Sequence, residues 1–418
     1  MAIKEIFASV EINDHEVRIV VGEFFETRYN ILRVERAGIS GVKRKRIIDE
    51  QNVANGIIKA LKQVEDNLGY HIERVLLIVP SVNVKRVCSS VNVEVEAVSK
   101  RIRLGDIQRG RNEAIKHRED SDLVLVNVGT TKYITNGITS RKMPLNELCD
   151  EFTMDVDLLF ADREVVYSYA RCIEKAGLEI LDICLDSYAI AQEAAIFEQT
   201  LDKYIILVNI ERETMTLSLF THGRLMSSRL IEKGYSLWFD RLKRECGFTN
   251  NVAYRLAQNT CRFVESEARD TTIYIYSEQG QQRLLTEKEV ASYIETPIRN
   301  WIKEVNGICQ EIVESGNVKY ILVGEGMELL SMPQLLDDLN APWQVYVPQI
   351  IGARDSALTS SLGAFYSWKE QLEIKNDNRC SCAQQEVEKV MDALRLKANE
   401  NVEGGFTKKL KKMLLSDK

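Results

Sequence analysis

The turn Glu211-Arg212-Glu213 places three charged side chains between two apolar strands over residues 204–210 and 214–220. Short hairpin turns usually contain glycine, asparagine or aspartate, because these residues reach positive φ at low cost. A charged turn is either a solvated tip or a site for a charged ligand. We interpret this one as a solvent-exposed tip, and a site remade for another ligand is the alternative.

No other group of residues indicates catalysis or metal binding. The histidines stand near predicted turns or helix ends without metal-ligand spacing, at His15, His71, His117 and His222. Glu11 has the chemistry to hold a hydrated Mg²⁺, but we interpret it as an exposed strand residue. The basic run 42–46 is interpreted as a solvated loop, with anion or partner binding as the alternative. The sequence therefore predicts no catalytic residue and no metal site.

The composition is that of a globular protein. The 418 residues are 45% hydrophobic, the mean hydropathy is −0.20 and the formal net charge is −7. No apolar run approaches the length that spans a bilayer, and the negative charge disfavours general binding to nucleic acid. Nine scattered cysteines, most of them in apolar periodic segments, indicate reduced thiols in a cytosolic protein.

The order of the predicted elements repeats once along the chain. The first half has three strands, a helix over 53–68 that stops at Gly69, and the apolar strand 75–79. The second half has three strands over 204–231, then helices and the apolar strand 320–323. Two similar α/β halves that face each other leave a cleft between them.

Each half carries an insertion, and a polar segment follows the second half. The first insertion mixes strands with a helix, and the second is mostly helical. In the second insertion, Thr286 and Glu289 form a capping box, and Pro297 is expected to kink or divide the helix that follows. Residues 373–405 predict a flexible linker. The apolar positions that would form one short amphipathic helix there are Val387, Val390, Met391 and Leu394.

The end of the chain combines an apolar helical face with lysines. The apolar face consists of Phe406, Leu410, Met413 and Leu414, at spacings i, i+4, i+7 and i+8, and the lysines between them are Lys408, Lys409, Lys411 and Lys412. Basic amphipathic helices of this type lie in the interface of anionic membranes. Residues 406–418 are therefore predicted to bind membranes, with a frayed solvated end as the alternative.

The order and spacing of these segments resemble the FtsA family, the actin-like bacterial division proteins that tether the FtsZ ring to the membrane. The resemblance covers residues 6–372 and the basic C-terminal helix. The stretches 133–145, 172–189 and 321–329 are similar to the family's DG…P, aGL…Asa and TGGG…L segments. The resemblance implies an α/β, actin-like (ribonuclease H-like) two-lobed fold with an SHS2-type inserted α+β subdomain.

The resemblance also implies how the chain is divided. The implied segments are the first lobe (1–82 and 162–202), the inserted interaction subdomain (83–161), the second lobe (203–235 and 318–372), its helical subdomain (236–317), the flexible linker (373–405) and the membrane-targeting helix (406–418).

Where the family binds ATP, this chain departs from the family pattern. The DIGTSK loop reads Glu11-Ile-Asn-Asp-His-Glu16, the DIGGGTTD loop reads Asn209-Ile-Glu-Arg-Glu-Thr-Met-Thr216, and the AE..K helix reads 253–257 without its charged members. The degenerate ATP-site positions are Glu11, Asn13, Gly234, Gly324 and Gly326. Carboxylates that face a triphosphate repel it unless a cation intervenes. We therefore expect no cofactor and no ATPase activity, with binding of ATP and Mg²⁺ as the alternative.

The function that the resemblance implies is that of a cell-division scaffold. Such a protein self-associates and tethers an FtsZ-type filament to the cytoplasmic face of the membrane at the division site. Its partners are an FtsZ-type filament protein, further copies of itself and anionic lipids, and nucleic acid is not among them. Two alternatives stay open: a PilM-like component of a pilus or secretion machine, which does not predict the membrane helix, and a true actin-like ATPase.

Overall fold

A computed structural model describes residues 5–393 apart from residues 26–27, 118, 120, 261, 279, 329–331, 376 and 391. Its main sheets are two five-stranded sheets and one four-stranded sheet. The predicted mixture of α and β structure in two similar halves is confirmed by these sheets and the helices that cover them.

The first lobe begins with three antiparallel strands, a small hairpin, a helix and a parallel strand. These elements are β1 (Glu5–Ile12), β2 (Glu16–Phe25), β3 (Arg28–Gly38), β4 (Val42–Lys43), β5 (Arg46–Ile47), α1 (Glu50–Leu68) and β6 (Arg74–Val79). The Asp49 side chain caps α1, and Gly69 ends it at a φ of 79°, as a C-terminal glycine does. Helix α1 buries Val53, Ile57 and Val64 against this sheet.

The inserted subdomain leaves the first lobe after β6 and returns to it before the next helix. Its elements are β7 (Lys85–Glu94), α2 (Leu104–Ala114), β8 (Leu123–Thr135), β9 (Ile138–Ser140) and β10 (Glu151–Asp162), and its strands lie in the order β7-β10-β8-β9. The chain then completes the first lobe with α3 (Arg163–Lys175), β11 (Glu179–Leu185), α4 (Asp186–Glu193) and α5 (Ile196–Gln199). The finished sheet has the order β11-β6-β1-β2-β3.

The second lobe repeats this topology. It contains β12 (Tyr204–Ile210), β13 (Met215–Thr221), β14 (Arg224–Ile231), α6 (Asp240–Cys246), α7 (Asn250–Thr260), β15 (Thr272–Glu278), β16 (Gln281–Thr286), α8 (Glu287–Ser315), β17 (Val318–Val323), α9 (Met332–Leu336), β18 (Trp343–Val345) and α10 (Thr359–Lys375). Its sheet has the order β14-β13-β12-β17-β18. In each lobe, three antiparallel strands are followed by two that pair in parallel.

The predicted capping box at Thr286 and Glu289 is confirmed, because both reciprocal hydrogen bonds form. Of the two expectations for Pro297, division of the helix is wrong, since α8 continues from Glu287 to Ser315 with Pro297 inside it, and a kink stays a prediction. Its buried residues Val290, Ile294 and Ile298 pack into the second-lobe core, which offsets the hydrogen bond that proline cannot donate.

The last helix packs on the first lobe, which corrects the assignment of all of 318–372 to the second. Leu362, Phe365 and Trp368 of α10 share a core with Phe7 and Val20. A Cβ atom at Gly363 would lie 1.7 Å from the Ala189 carbonyl oxygen. Glycine therefore lets α10 and α4 cross closely, and the chain returns from the second lobe to the first through α10.

The first part of the expected flexible linker is ordered, which corrects the prediction for 373–405. The Ser381 amide donates to the Ile6 carbonyl (2.9 Å), and the Ser381 hydroxyl accepts from the Ala8 amide (2.8 Å). Residues 384–390 are helical and bury Val387 in the first-lobe core. Of the apolar positions predicted for one short helix, Val387 and Val390 pack on the first-lobe core, and Met391 and Leu394 lie outside the described residues.

Among the residues that the structure describes, no helix combines the length and apolar character that crossing a membrane requires.

Candidate functional site: the cleft between the lobes

The cleft is lined by turns that follow equivalent strands of the two lobes. The β1–β2 turn at residues 13–15 belongs to the first lobe, and the turns at 211–214 and 324–328 belong to the second. These turns touch: His15 Nε2 lies 3.4 Å from Glu325 Oε1, and the suitably oriented Asn13 amide nitrogen lies 3.2 Å from Glu211 Oε2. The internal repeat therefore brings distant segments to one place.

The acidic turn receives a cation from the first lobe. The Glu211 carboxylate pairs with Lys45 at the tip of the β4–β5 hairpin, and both side chains are buried. Lys45 Nζ also lies 3.9 Å from Asp186 Oδ2. The predictions that Glu211 stands on an exposed turn and Lys45 in a solvated loop are therefore wrong. Each of these residues supplies the opposite charge that makes burial of the other possible.

Carboxylates outnumber cations around Glu211. Burial raises the pKa of Glu211 to about 7, because lost hydration and the nearby carboxylates of Glu11 and Asp186 outweigh the attraction of Lys45. Burial opposes a charge on Lys45, but Glu211 and Asp186 overcome it and raise the pKa of that ammonium above its ordinary range. Asn209 Nδ2 donates to Glu211 Oε1 at 3.3 Å, which gives the carboxylate a second donor.

Arg18 forms the second buried cluster. Its guanidinium is 2% exposed and contacts Glu325 of the second lobe, Glu16 Oε1 at 2.6 Å and Glu11 Oε2 at 3.4 Å. It also donates to the Ala357 carbonyl at 2.9 Å. The interpretation of Glu11 as an exposed strand residue is wrong, because Glu11 is 3% exposed. Arginine suits this position, since its five donors serve several acceptors at once.

Glu325 gathers donors from both lobes. The Tyr235 hydroxyl donates to Glu325 Oε2 at 2.7 Å. Burial opposes ionisation of Glu325, but Arg18 and His15 outweigh it and hold the pKa of this carboxyl below its usual range. Burial likewise opposes a charge on His15, yet hydrogen bonds with Asp14 and Glu325 raise its pKa to about 10. At neutral pH this cluster therefore contains two cations around an ionised carboxylate.

The three glycines expected at the ATP site serve backbone packing here. A Cβ at Gly234 would lie 2.3 Å from the Glu211 carbonyl oxygen, and one at Gly324, whose φ is 96°, would lie 2.4 Å from the Ile210 carbonyl oxygen. A Cβ at Gly326 would lie 2.7 Å from Ile210 Cγ2. All three glycines let the backbone press against the end of β12.

A cavity of about 270 Å³ opens beside the Arg18 cluster. Its lining is mostly polar and charged, from His15, Glu16, Arg36, Arg212, Tyr235, Ser236, Phe239, Asn250, Asn251, Tyr254, Gln258, Glu325 and Glu328. Helix α7, which carries the altered AE..K stretch, forms one wall through Asn250, Asn251 and Tyr254. Burial and a hydrogen bond with Asp355 raise the pKa of Glu328 to about 9, which makes this wall uncharged at Glu328 near neutral pH.

The described residues contain one group with metal-ligand proximity, formed by His15, Glu16 and Glu325. Arg18 already contacts both carboxylates, and the raised pKa of His15 keeps its ring protonated. The group is therefore held by cations of the chain and does not favour a metal ion. The absence of a metal site stays a prediction.

The residues of this cleft do not fit a nucleotide triphosphate. Backbone amides of a glycine-rich loop are the usual phosphate cradle, whereas the described loops present the carboxylates of Glu11, Glu211 and Glu325. Lys45 and Arg18, the buried cations next to them, are already paired with those carboxylates. A triphosphate would have to displace these pairs and lie among like charges.

The residues that sequence reasoning missed are Lys45, Arg18, His15 and Tyr235. Lys45 belongs to the basic run 42–46, and its pairing with the acidic turn was signalled only by opposite charges in separate loops. Arg18 stands in an apolar strand, where a lone arginine is a signal of a buried partner. The predicted membrane-binding residues at 406–414 lie outside the described residues.

Comparison of the sequence with known proteins identifies relatives among cell division proteins. No protein-family model matches the chain. The cell division protein FtsA of Bacillus subtilis strain 168 is 24% identical over 367 residues, which are 86% of this chain and 82% of that protein. FtsA of Staphylococcus epidermidis strain RP62A is 21% identical over 369 residues, covering 86% and 78%.

Two solved structures show the same fold at low identity. A chain of the PilM-PilN type IV pilus biogenesis complex has a TM-score of 0.56 at 12% identity, covering 86% of this chain and 98% of that one. MreB5 of Spiroplasma citri bound to ADP has a TM-score of 0.52 at 11% identity, covering 90% and 99%.

The repeated sheets, the cleft and these neighbours define an actin-like, two-lobed protein. The sequence relatives point to one family, whereas the fold is shared by proteins with different roles. These relatives support a divergent relationship of this chain to the FtsA cell division proteins, at 20–24% identity over about 86% of its length.

Proposed function

We propose that this protein is a division scaffold that self-associates, binds an FtsZ-type filament and tethers it to the cytoplasmic face of the membrane. The observation that carries the proposal is the match to FtsA proteins over 86% of the chain. The match extends over most of the chain, so it does not rest on a single motif.

The scaffold works without a nucleotide. Buried ion pairs at Glu211 and Glu325 support this part of the proposal, because they take up the cations that phosphates would need. A protein that neither binds nor hydrolyses ATP is free to serve as a constant link, with assembly set by its concentration at the membrane.

The inserted subdomain provides the contact between neighbouring molecules. Its outer end exposes apolar side chains, with Ile138 71% and Leu148 55% accessible to solvent. Ile138→Glu with Leu148→Glu should abolish vesicle-bound assemblies in sedimentation and electron microscopy. Ile275→Glu, an equally exposed apolar residue on the β15–β16 hairpin, is the matched control and should leave assembly intact. Normal assembly of the double variant would contradict the assignment.

The C-terminal segment 406–418 binds anionic lipid. Five lysines and one aspartate give it a basic character, and each lysine near an anionic leaflet contributes about 1 kcal/mol. Ordering a flexible segment costs about 1–2 kcal/mol per residue, so a single tail binds reversibly and an assembled row binds firmly through avidity.

Flotation with phosphatidylglycerol vesicles tests the tether. Phe406→Glu with Leu414→Glu should release the protein, and high salt should weaken binding of the wild type. Val402→Glu makes the same kind of change just outside the segment and should have little effect. Binding by the double variant, or none by the assembled wild type, would refute the tether.

A second candidate is a PilM-like component of a pilus machine. It is favoured by the similarity to the PilM-PilN complex, which covers 98% of that chain. Co-sedimentation with polymerised FtsZ-type protein separates the candidates. The division scaffold should pellet with the filaments and remain in solution without them, and failure to do so would favour the pilus alternative.

A further inference from the structure

We infer that the pairs Lys45–Glu211 and Arg18–Glu325 hold the two lobes closed, so that the chain itself supplies the anions that join the lobes across the cleft. This inference concerns the state of the lobes. It does not depend on whether the protein binds an FtsZ-type filament or a membrane.

Both pairs cross the cleft. Lys45 stands on the β4–β5 hairpin and Arg18 on β2, both in the first lobe, whereas Glu211 follows β12 and Glu325 follows β17 in the second. The four residues are each at most 5% exposed. Closing the lobes therefore removes two cations and two carboxylates from water together.

Neighbouring donors hold the second-lobe carboxylates in place before the cations reach them. Tyr235 donates to Glu325 at 2.7 Å, and Asn209 donates to Glu211 at 3.3 Å. Both donors belong to the second lobe. The carboxylates are thus preorganised to receive the first-lobe cations, as a rigid binding site would be for its ligand.

The exposed contacts around the Lys45 pair are of a different kind. Arg44, the next residue of the hairpin, pairs with Glu232 at 2.6 Å, but these side chains are 53% and 57% exposed. Water hydrates both charges whether the lobes are open or closed, so this pair has little effect on closure. Burial, and not the mere presence of opposite charges, distinguishes the closing pairs.

The physical reason for a closing role is the cost of an unpaired buried charge. Removing one partner of a buried pair leaves an ion that can regain hydration only if the surrounding structure opens. Removing both Lys45 and Glu211 is less costly, because only Asp186 then loses a nearby cation, and it keeps hydrogen bonds from Ser81 and Ser187 within its own lobe. The lobes should therefore respond to each single change and much less to the double change.

The test uses the full-length protein and compares Lys45→Met, Glu211→Gln and the double variant. Small-angle X-ray scattering reports the radius of gyration, and hydrogen exchange reports the amides of residues 13–18, 42–47 and 209–214. Lys45→Met should enlarge the radius of gyration and speed exchange in these cleft segments by at least tenfold. The strands of the inserted subdomain, β8 and β10, should keep wild-type exchange.

Adding Glu211→Gln to Lys45→Met should restore most of the lost protection. Arg44→Met is the matched control from the same hairpin and should behave as wild type. ATP with Mg²⁺ should change neither measurement in the wild type.

Two results would overturn the inference: a Lys45→Met protein as closed as Arg44→Met, or a double variant as open as Lys45→Met. If Lys45→Met does not fold, Glu325→Gln gives a second test, because it keeps the shape and the acceptor for Tyr235 but removes the charge. It should also open the cleft, and a wild-type exchange pattern in this variant would refute the role of the Arg18 pair.

Discussion

The two ends of the cleft differ in packing: one is filled by a buried ion pair, and the other holds an open cavity. At one end, Glu211 and Lys45 are buried together as an ion pair. At the other end, beside helix α7, a polar cavity of about 270 Å³ stays open. Glu325 joins the two regions, because it pairs with Arg18 and also lines the cavity.

This comparison distinguishes residues of the cleft that backbone packing requires from residues that a bound ligand would require. The glycines at 234, 324 and 326 remain because the backbone passes too close to β12 for any side chain. Glu211, Arg212 and Glu213 stand where the resemblance places the glycines of a phosphate loop. The structure thus has glycine where backbones touch, and a buried ion pair where the resemblance places a phosphate loop.

The largest effect should come from Arg18, whose buried cluster lies beside the open cavity. Arg18→Met leaves Glu11, Glu16 and Glu325 without their shared cation and should lower the free energy of unfolding by about 3–5 kcal/mol. Arg33→Met is the control, since Arg33 is 39% exposed and pairs with Glu35, two residues further along the same strand. Its cost should be about 0–1 kcal/mol. Equal losses of unfolding free energy in urea denaturation of the two variants would contradict the claim that the buried cluster contributes more than the exposed pair.

A smaller effect should come from the retained glycines. Gly324→Ala should cost about 1–3 kcal/mol more than Gly137→Ala, because a methyl group there overpacks the Ile210 backbone. Both glycines have positive φ, 96° and 79°, but nothing lies within 4 Å of a Cβ at Gly137. Backbone strain is therefore common to both variants, and the difference between their losses in thermal unfolding reports the close contact at Gly324. Identical losses of stability in the two variants would mean that the positive φ, and not the close contact, accounts for the glycine at position 324.

The next effect depends on pH and lies where the two ends meet. The pKa of His15 rises from 6.5 to about 10 in the folded protein, since Asp14 and Glu325 outweigh its burial. The folded state therefore holds this proton more tightly, and the resulting stability is complete below pH 6.5 and is lost as pH rises to about 10. Water screens the effect, because the ring is 24% exposed.

His15→Gln should remove this dependence. The difference in unfolding free energy between wild type and His15→Gln should shrink steadily across that pH range. Arg18, Glu16, Asp14 and Glu325 face the ring in both proteins, so their own titration is largely common to the two curves. A difference that stays constant with pH would show that His15 is not held as a cation.

The smallest expected effect is that of ATP with Mg²⁺ on the wild type. A ligand present at a hundred times its Kd stabilises a protein by about 2.7 kcal/mol, and we expect no measurable stabilisation here. Replacing residues 211–213 by three glycines should increase any affinity, provided the variant folds. A clear wild-type thermal shift would show that the open end alone suffices for binding.

The sequence by itself determined the architecture of this protein. Alternating and continuous apolar runs predict the strands, and their repeated order predicts two lobes with a cleft, because burial of apolar side chains follows a local periodicity. Gly69 and the Thr286–Glu289 capping box mark helix ends that the structure confirms. These features depend on residues within a few positions of one another, which is why they can be read from the chain.

Tertiary structure alone decided the chemistry of the cleft. Lys45 and Glu211 are 166 positions apart and Arg18 and Glu325 are 307 apart, and each taken alone is an ordinary charged residue for which exposure is the reasonable expectation. Ser381 likewise joins β1 only because the chain returns to it. A buried charge requires a partner in space, and spatial neighbours across two lobes leave no periodic signal in the sequence.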